Sequence, residues 1–200
     1  MIHAGQPVEG AGPANASATL ILLHGRGGSA ADMIDFAVNV AGPTVACVAP
    51  QAASNTWWPG RFMEAAEVNE AFVESALAVV ENLVAETPSS RVALLGFSQG
   101  ACLALEYLYR RATPLGAVIG FSGGLIGPTI GAPGPATLAG TPVLLDCSER
   151  DPHIPRARVI ATEAALRARG AAVAMHVYPG DSHTITRAEI LRARELLATL

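Results

Sequence analysis

The 200-residue chain predicts an α/β fold, with a mainly parallel central sheet, helices on both faces and no large lid domain. Three observations carry that expectation. Short apolar runs rich in Val, Ile and Leu alternate with longer stretches of helical period, the pattern of strands buried on both sides. Half of the residues (50%) are hydrophobic, ample for the core of one domain, taken here to span 1–200 with 1–17 peripheral to it. Two Gly/Pro-rich segments, PQAASNTWWPGRF (50–62) and GGLIGPTIGAPGPATLAG (123–140), follow strand ends, where open α/β sheets place their ligands.

The strands are TLILLH (19–24), TVACVA (44–49), RVALLGF (91–97), GAVIGFS (116–122), PVLLDC (142–147) and AVAMHVY (172–178). Helices are expected near 29–41, 64–86, 99–111, 156–169 and 187–199. Ser29 with Asp32 and Thr186 with Glu189 have the spacing in which a hydroxyl and a carboxylate satisfy the free N–H groups of a helix start. Gly170 suits a left-handed helix stop after ALRAR. Within 64–86, Val68, Phe72, Val79 and Leu83 recur at helical spacing and read as the core-facing stripe.

Composition excludes several functions. The net charge is a mild −4 with no basic stripe, so no nucleic-acid partner is expected. All 13 basic residues are Arg, which removes a lysine nucleophile or Schiff base. Cys47, Cys102 and Cys147 are an odd number in separate apolar segments without metal-ligand spacing, which suits reduced thiols and a cytoplasmic location. The N-terminus lacks a secretory pattern, and no apolar run approaches the ~18 residues of a spanning helix, so no stable membrane insertion is expected.

Two pentapeptides fit G-x-S-x-G, Gly96-Phe97-Ser98-Gln99-Gly100 and Gly120-Phe121-Ser122-Gly123-Gly124. With this glycine content about 0.1 matches arise by chance, so context must decide. A nucleophile elbow needs a strand before the serine, a sharp turn at it, and a helix after it whose N-terminus offers positive charge and a free N–H. Ser98 meets all three conditions. Ser122 is followed by Gly123, Gly124, Gly127 and Pro128 and reads as a strand end beside the site.

A serine needs a base to take its proton and a carboxylate to orient that base. In α/β-hydrolase arrangements both follow the serine on loops after later strands, acid first. Asp151, after the strand 142–147, and His183, after the strand 172–178, fit. Asp146 competes as the acid but lies within its strand, and Asp181 reads as a turn residue. His176 lies within a strand, His153 sits too near Asp151 to be its partner, and His3 lies on a terminus expected to be loose. The oxyanion donors are expected to be the backbone N–H groups of Gln99 and of Arg26, the latter in the turn His24-Gly25-Arg26-Gly27-Gly28.

Together, LLHGRGG, APQAASNTWWP, GFSQGACLALEY, DPHIP and YPGDSH resemble the phospholipase/carboxylesterase family of α/β-hydrolases, which includes acyl-protein thioesterases; the likeness lies closest to small bacterial carboxylesterases. It runs from about residue 18 to 197. It implies the triad Ser98, Asp151 and His183, oxyanion donors on Arg26 and Gln99, no cofactor and no metal. The function expected is a serine hydrolase cleaving small-molecule carboxylic esters, and thioesters with them, through an acyl-enzyme on Ser98. Homodimerisation is carried by the resemblance alone. Cys147-Ser148 stand where the family often has His-Gly, and the Trp57-Trp58 loop departs from the thioesterase segment. Trp57, Trp58, Phe62, Leu125, Ile126 and Ile154 are the candidate apolar pocket, the tryptophans alternatively anchoring their loop. The absence of a basic cluster in that set argues against strongly anionic substrates. The rival readings are a dienelactone-hydrolase-like or perhydrolase activity on the same fold, and a non-catalytic binding module.

Overall fold

The computed structural model describes residues 2–132 and 137–200, and of Ala66 the backbone alone. Its elements are β1 Val8–Ala11, β2 Ala18–Leu23, α1 Ala30–Ala37, β3 Val45–Pro50, α2 Ala66–Ala85, β4 Val92–Phe97, α3 Gln99–Arg111, β5 Ala117–Phe121, β6 Pro142–Ser148, α4 Arg156–Ala168, β7 Ala172–Tyr178 and α5 Arg187–Leu197. The strands form one sheet in the order β1-β3-β2-β4-β5-β6-β7, parallel except for β1, which runs antiparallel along β3. This is the α/β-hydrolase fold, without a large extra domain.

The inner strands have no polar face because both sides are covered. Ile21, Leu23, Leu94, Val118 and Leu145 pack beneath α2, α3 and α4. Leu20, Leu22, Ala93, Leu95 and Ile119 pack beneath α1 and α5. Both capping boxes form, Ser29 with Asp32 and Thr186 with Glu189. Gly170 takes φ +89°, and the N–H of Ala171 reaches back to the Leu166 carbonyl at 3.1 Å, closing α4. Among the described residues no helix is long and apolar enough to cross a membrane.

Three expectations are corrected. The inward stripe of α2 is Val73, Ala76, Leu77, Val80 and Val84; Phe72 and Leu83 flank it, Val79 is half-buried and Val68 is exposed. Leu, Val and Ala repeat so densely here that two registers fit the period, and only the packing partner separates them. The N-terminal segment also supplies the edge strand β1, whose residues all face solvent and therefore carry no alternation. And His3 is not loose: it is buried (2% exposed) with its ring against Trp57.

Candidate active site

The turn at Ser98 is dictated by backbone space. Ser98 has φ 54° and ψ −116°, a strained conformation for a residue with a side chain, and α3 begins at the next residue. Strand and helix meet so closely that a Cβ on Gly96 would overlap the Gly100 carbonyl, and one on Gly100 would overlap the Leu23 carbonyl. The strain lifts the Ser98 hydroxyl out of the sheet at the N-terminal end of α3.

Three strand tips converge there. Ser98 Oγ lies 2.9 Å from His183 Nε2, and His183 Nδ1 lies 2.7 Å from Asp151 Oδ2. The other Asp151 oxygen accepts the N–H groups of His153 and Ile154 at 2.8 and 2.9 Å. Burial works against the Asp151 charge, but the bonds from His183, Ile154 and His153 outweigh it and hold the carboxyl below its ordinary range. The His183 ring is held between Phe97 and His153, at centroid distances of 4.9 and 4.7 Å.

The competitors are occupied elsewhere. Asp146 is fully buried and bonds His176 Nδ1 at 2.9 Å and the Tyr178 hydroxyl at 3.4 Å; burial pushes its carboxyl up. Asp181 is exposed. Ser122 shares a positive φ (51°), but it is 1% exposed, no helix follows it, and its N–H is taken by the Asp146 carbonyl.

The N–H of Gln99, first residue of α3, has no intrahelical acceptor. The turn after β2 lies alongside: a Cβ on Gly25 would sit 3.5 Å from Ser98 Cβ. Arg26 follows, its guanidinium donating to the Pro59 and Gly60 carbonyls at 3.0 and 2.6 Å. The Gln99 side chain fastens the same loop, accepting from Trp57 N–H at 2.9 Å and donating to the Trp58 carbonyl at 2.9 Å. Backbone donors and the Trp loop are thus braced as one unit beside Ser98.

A cavity of about 540 Å³ opens onto Ser98 and His183, walled by Trp58, Phe62, Phe97, Ile154 and Met63 among others. Trp58, Phe62 and Ile154 stand in its wall as expected; Trp57, Leu125 and Ile126 do not. Trp57 is an anchor, its indole N–H donating to the His24 carbonyl at 2.9 Å. Leu125 and Ile126 turn into the core because their N–H groups are claimed from below, by Thr162 Oγ1 and by the buried Glu106 carboxylate. Residues 133–136 of the segment 123–140 lie outside the described residues. His153, expected as a residue that could line the pocket, stands in its wall, whereas sequence reasoning missed Arg61, Met63 and the Phe97 flank. Phe97 alone carried a signal, next to the serine.

Trp57 packs against two histidines, His3 and His24, with tilted rings at centroid distances of 5.5 and 5.0 Å. His3 Nδ1 accepts the Ala53 N–H at 3.1 Å while Nε2 faces the Trp57 carbonyl at 2.9 Å. His24 Nε2 accepts the Ala52 N–H at 3.1 Å while Nδ1 faces the Gly25 carbonyl at 2.7 Å. Only a neutral ring can accept on one nitrogen and donate from the other. Burial lowers both pKa values from 6.5. The unfolded imidazoles bind protons that the folded ones refuse, so this stability is full above about pH 6.5 and is lost as pH falls below it. The slope is up to ~1.4 kcal/mol per pH unit for each ring. Urea unfolding from pH 8 to 5 should give a shallower pH dependence in His3→Gln than in the parent, by about one proton; parallel curves would refute the assignment.

A family model described as phospholipase/carboxylesterase matches residues 8–200. A comparison with curated proteins gave no match. Among solved structures, a phospholipase/carboxylesterase from Dyadobacter fermentans is 37% identical, superposes with a TM-score of 0.92, and is covered over 99% of both chains. Esterase PE8 is 26% identical, with a TM-score of 0.76 and 97% of both chains covered. A Bacillus cereus carboxylesterase, 19% identical over 98% of this chain and 95% of its own, shares the fold at a TM-score of 0.77. The chain belongs to the phospholipase/carboxylesterase family of α/β-hydrolases and is a hydrolase acting on esters.

Proposed function

We propose that the protein hydrolyses small-molecule carboxylic esters, and thioesters by the same route, through an acyl-enzyme on Ser98. The observation that carries this is the continuous chain from Ser98 Oγ through His183 to Asp151, at 2.9 and 2.7 Å. His183 takes the Ser98 proton on Nε2 as Oγ attacks the acyl carbonyl. Asp151, held ionised, keeps the Nδ1 proton in place and balances the imidazolium. The Arg26 and Gln99 N–H groups meet the oxyanion; each such donor is worth about 10²–10³ in rate. His183 returns its proton to the leaving alcohol or thiol, then activates the water that releases the acid. Apart from the water, every catalytic group in this sequence comes from the chain itself. A cysteine nucleophile of the dienelactone-hydrolase kind is disfavoured, because the nearest thiol, Cys102, is buried and pushed up to about 12. The three buried, unpaired cysteines suit the cytoplasm.

Incubation with a fluorophosphonate and peptide mapping tests the reading. A single adduct on the peptide bearing Ser98 is expected. Labelling of Ser122 would overturn the assignment, and no adduct would favour a non-catalytic role.

A further inference from the structure

The cavity wall that reads as apolar in the sequence includes two arginines, Arg26 and Arg61. Among the described residues neither meets a carboxylate. The Arg26 guanidinium donates to the Pro59 and Gly60 carbonyls, which leave its charge in place. Among the described residues the Arg61 guanidinium makes no hydrogen bond or ion pair, although its backbone is pinned on both sides. Its N–H donates to Glu64 Oε2 at 2.9 Å, and its carbonyl accepts from the buried Asn69 amide at 2.8 Å. Glu64, the one acidic neighbour in these contacts, spends that oxygen on the backbone rather than on the guanidinium. In a chain of net charge −4, whose Arg110, Arg111, Arg150 and Arg167 are all paired with glutamates, Arg26 and Arg61 bring two positive charges to the mouth of this cavity against the one carboxylate of Glu64.

We propose that the cavity takes esters carrying a second, anionic group, a carboxylate or phosphate remote from the scissile carbonyl, and that Arg61 is the specificity residue that binds it. This rests on the esterase reading above. Trp58, Phe62 and Ile154 hold the hydrocarbon portion, and Arg61, exposed on a fixed backbone, meets the charged end. Arg26 adds long-range attraction, its main-chain N–H being committed to the oxyanion. Because the pair is open to solvent, its effect is several-fold rather than thousand-fold, and salt screens it.

The test compares esters with neutral isosteres. Monomethyl glutarate against its primary-amide analogue puts the carboxylate on the acyl side; 4-acetoxybenzoate against 4-acetoxybenzamide puts it on the leaving side. In at least one pair the carboxylate should be preferred about 3- to 10-fold in kcat/KM at low ionic strength. The preference should shrink in about 0.5 M salt, fall to about one in Arg61→Gln and persist in Arg61→Lys. No preference in either pair, or one that Arg61→Gln leaves intact, overturns the proposal. If no ester is turned over, the esterase reading has failed, and calorimetric titration with 4-hydroxybenzoate decides the subsite separately. Binding weakened by Arg61→Gln supports it, and absent or unchanged binding refutes it.

Discussion

Ser98→Ala should lower kcat for a short-chain ester by about 10⁴- to 10⁶-fold, because removal of the nucleophile leaves only the oxyanion donors and substrate binding. The fold should not suffer. Ser98 gives its hydroxyl to His183 rather than to the core, and alanine inherits the same φ of 54° and ψ of −116°. Ser98→Gly separates chemistry from strain. It should be as inactive as the alanine variant yet more stable than the parent by about 1 kcal/mol, since glycine occupies this region without a Cβ penalty. Initial rates with urea unfolding of both variants check this. Substantial activity in either variant would dismiss Ser98 as nucleophile, and a destabilised Ser98→Gly would dismiss the strain.

Gly100→Ala should have the largest effect on stability, a loss of about 3 kcal/mol or more, enough to leave much of the protein unfolded. The added Cβ would overlap the Leu23 carbonyl oxygen and sit 2.5 Å from its carbon and 2.7 Å from the His24 carbonyl. All are main-chain atoms at the end of a central strand, so no rotamer change relieves the clash. Gly42→Ala is the control: nothing lies within 4 Å of its Cβ and its φ is not positive, so its change should stay within about 0.5 kcal/mol. Thermal and urea unfolding of the two variants compare them directly. Equal stabilities would mean that α3 can withdraw from β2, contrary to the packing that creates the elbow.

That Ser98, Asp151 and His183 come together was legible in the sequence because the determinants of their placement are local. A strand, a glycine-flanked serine and a helix are written consecutively, and an Asp or His just past a strand end is already at the carboxyl edge of a parallel sheet. Side-chain direction within loops was not legible. Nothing in the sequence separates Trp57 from Trp58, yet the first packs against His3 and His24 while the second walls the cavity. Leu125 and Ile126 looked suited to a pocket until Thr162 and Glu106, distant in sequence, drew their backbone inward. Arg61 was passed over because an isolated arginine in a loop has no pattern. Only the fold brings it to the rim that holds Ser98.

The order of the strands has a consequence for biosynthesis. From β4 onward each new strand is added beside the last, and Ser98, Asp151 and His183 hang from the ends of β4, β6 and β7. During translation Ser98 emerges first, Asp151 next and His183 last. A growing chain whose final strand is still on the ribosome has no His183 beside Ser98. On the proposed mechanism, ester turnover begins only when the outermost strand docks, and nascent-chain activity would report that the sheet is complete.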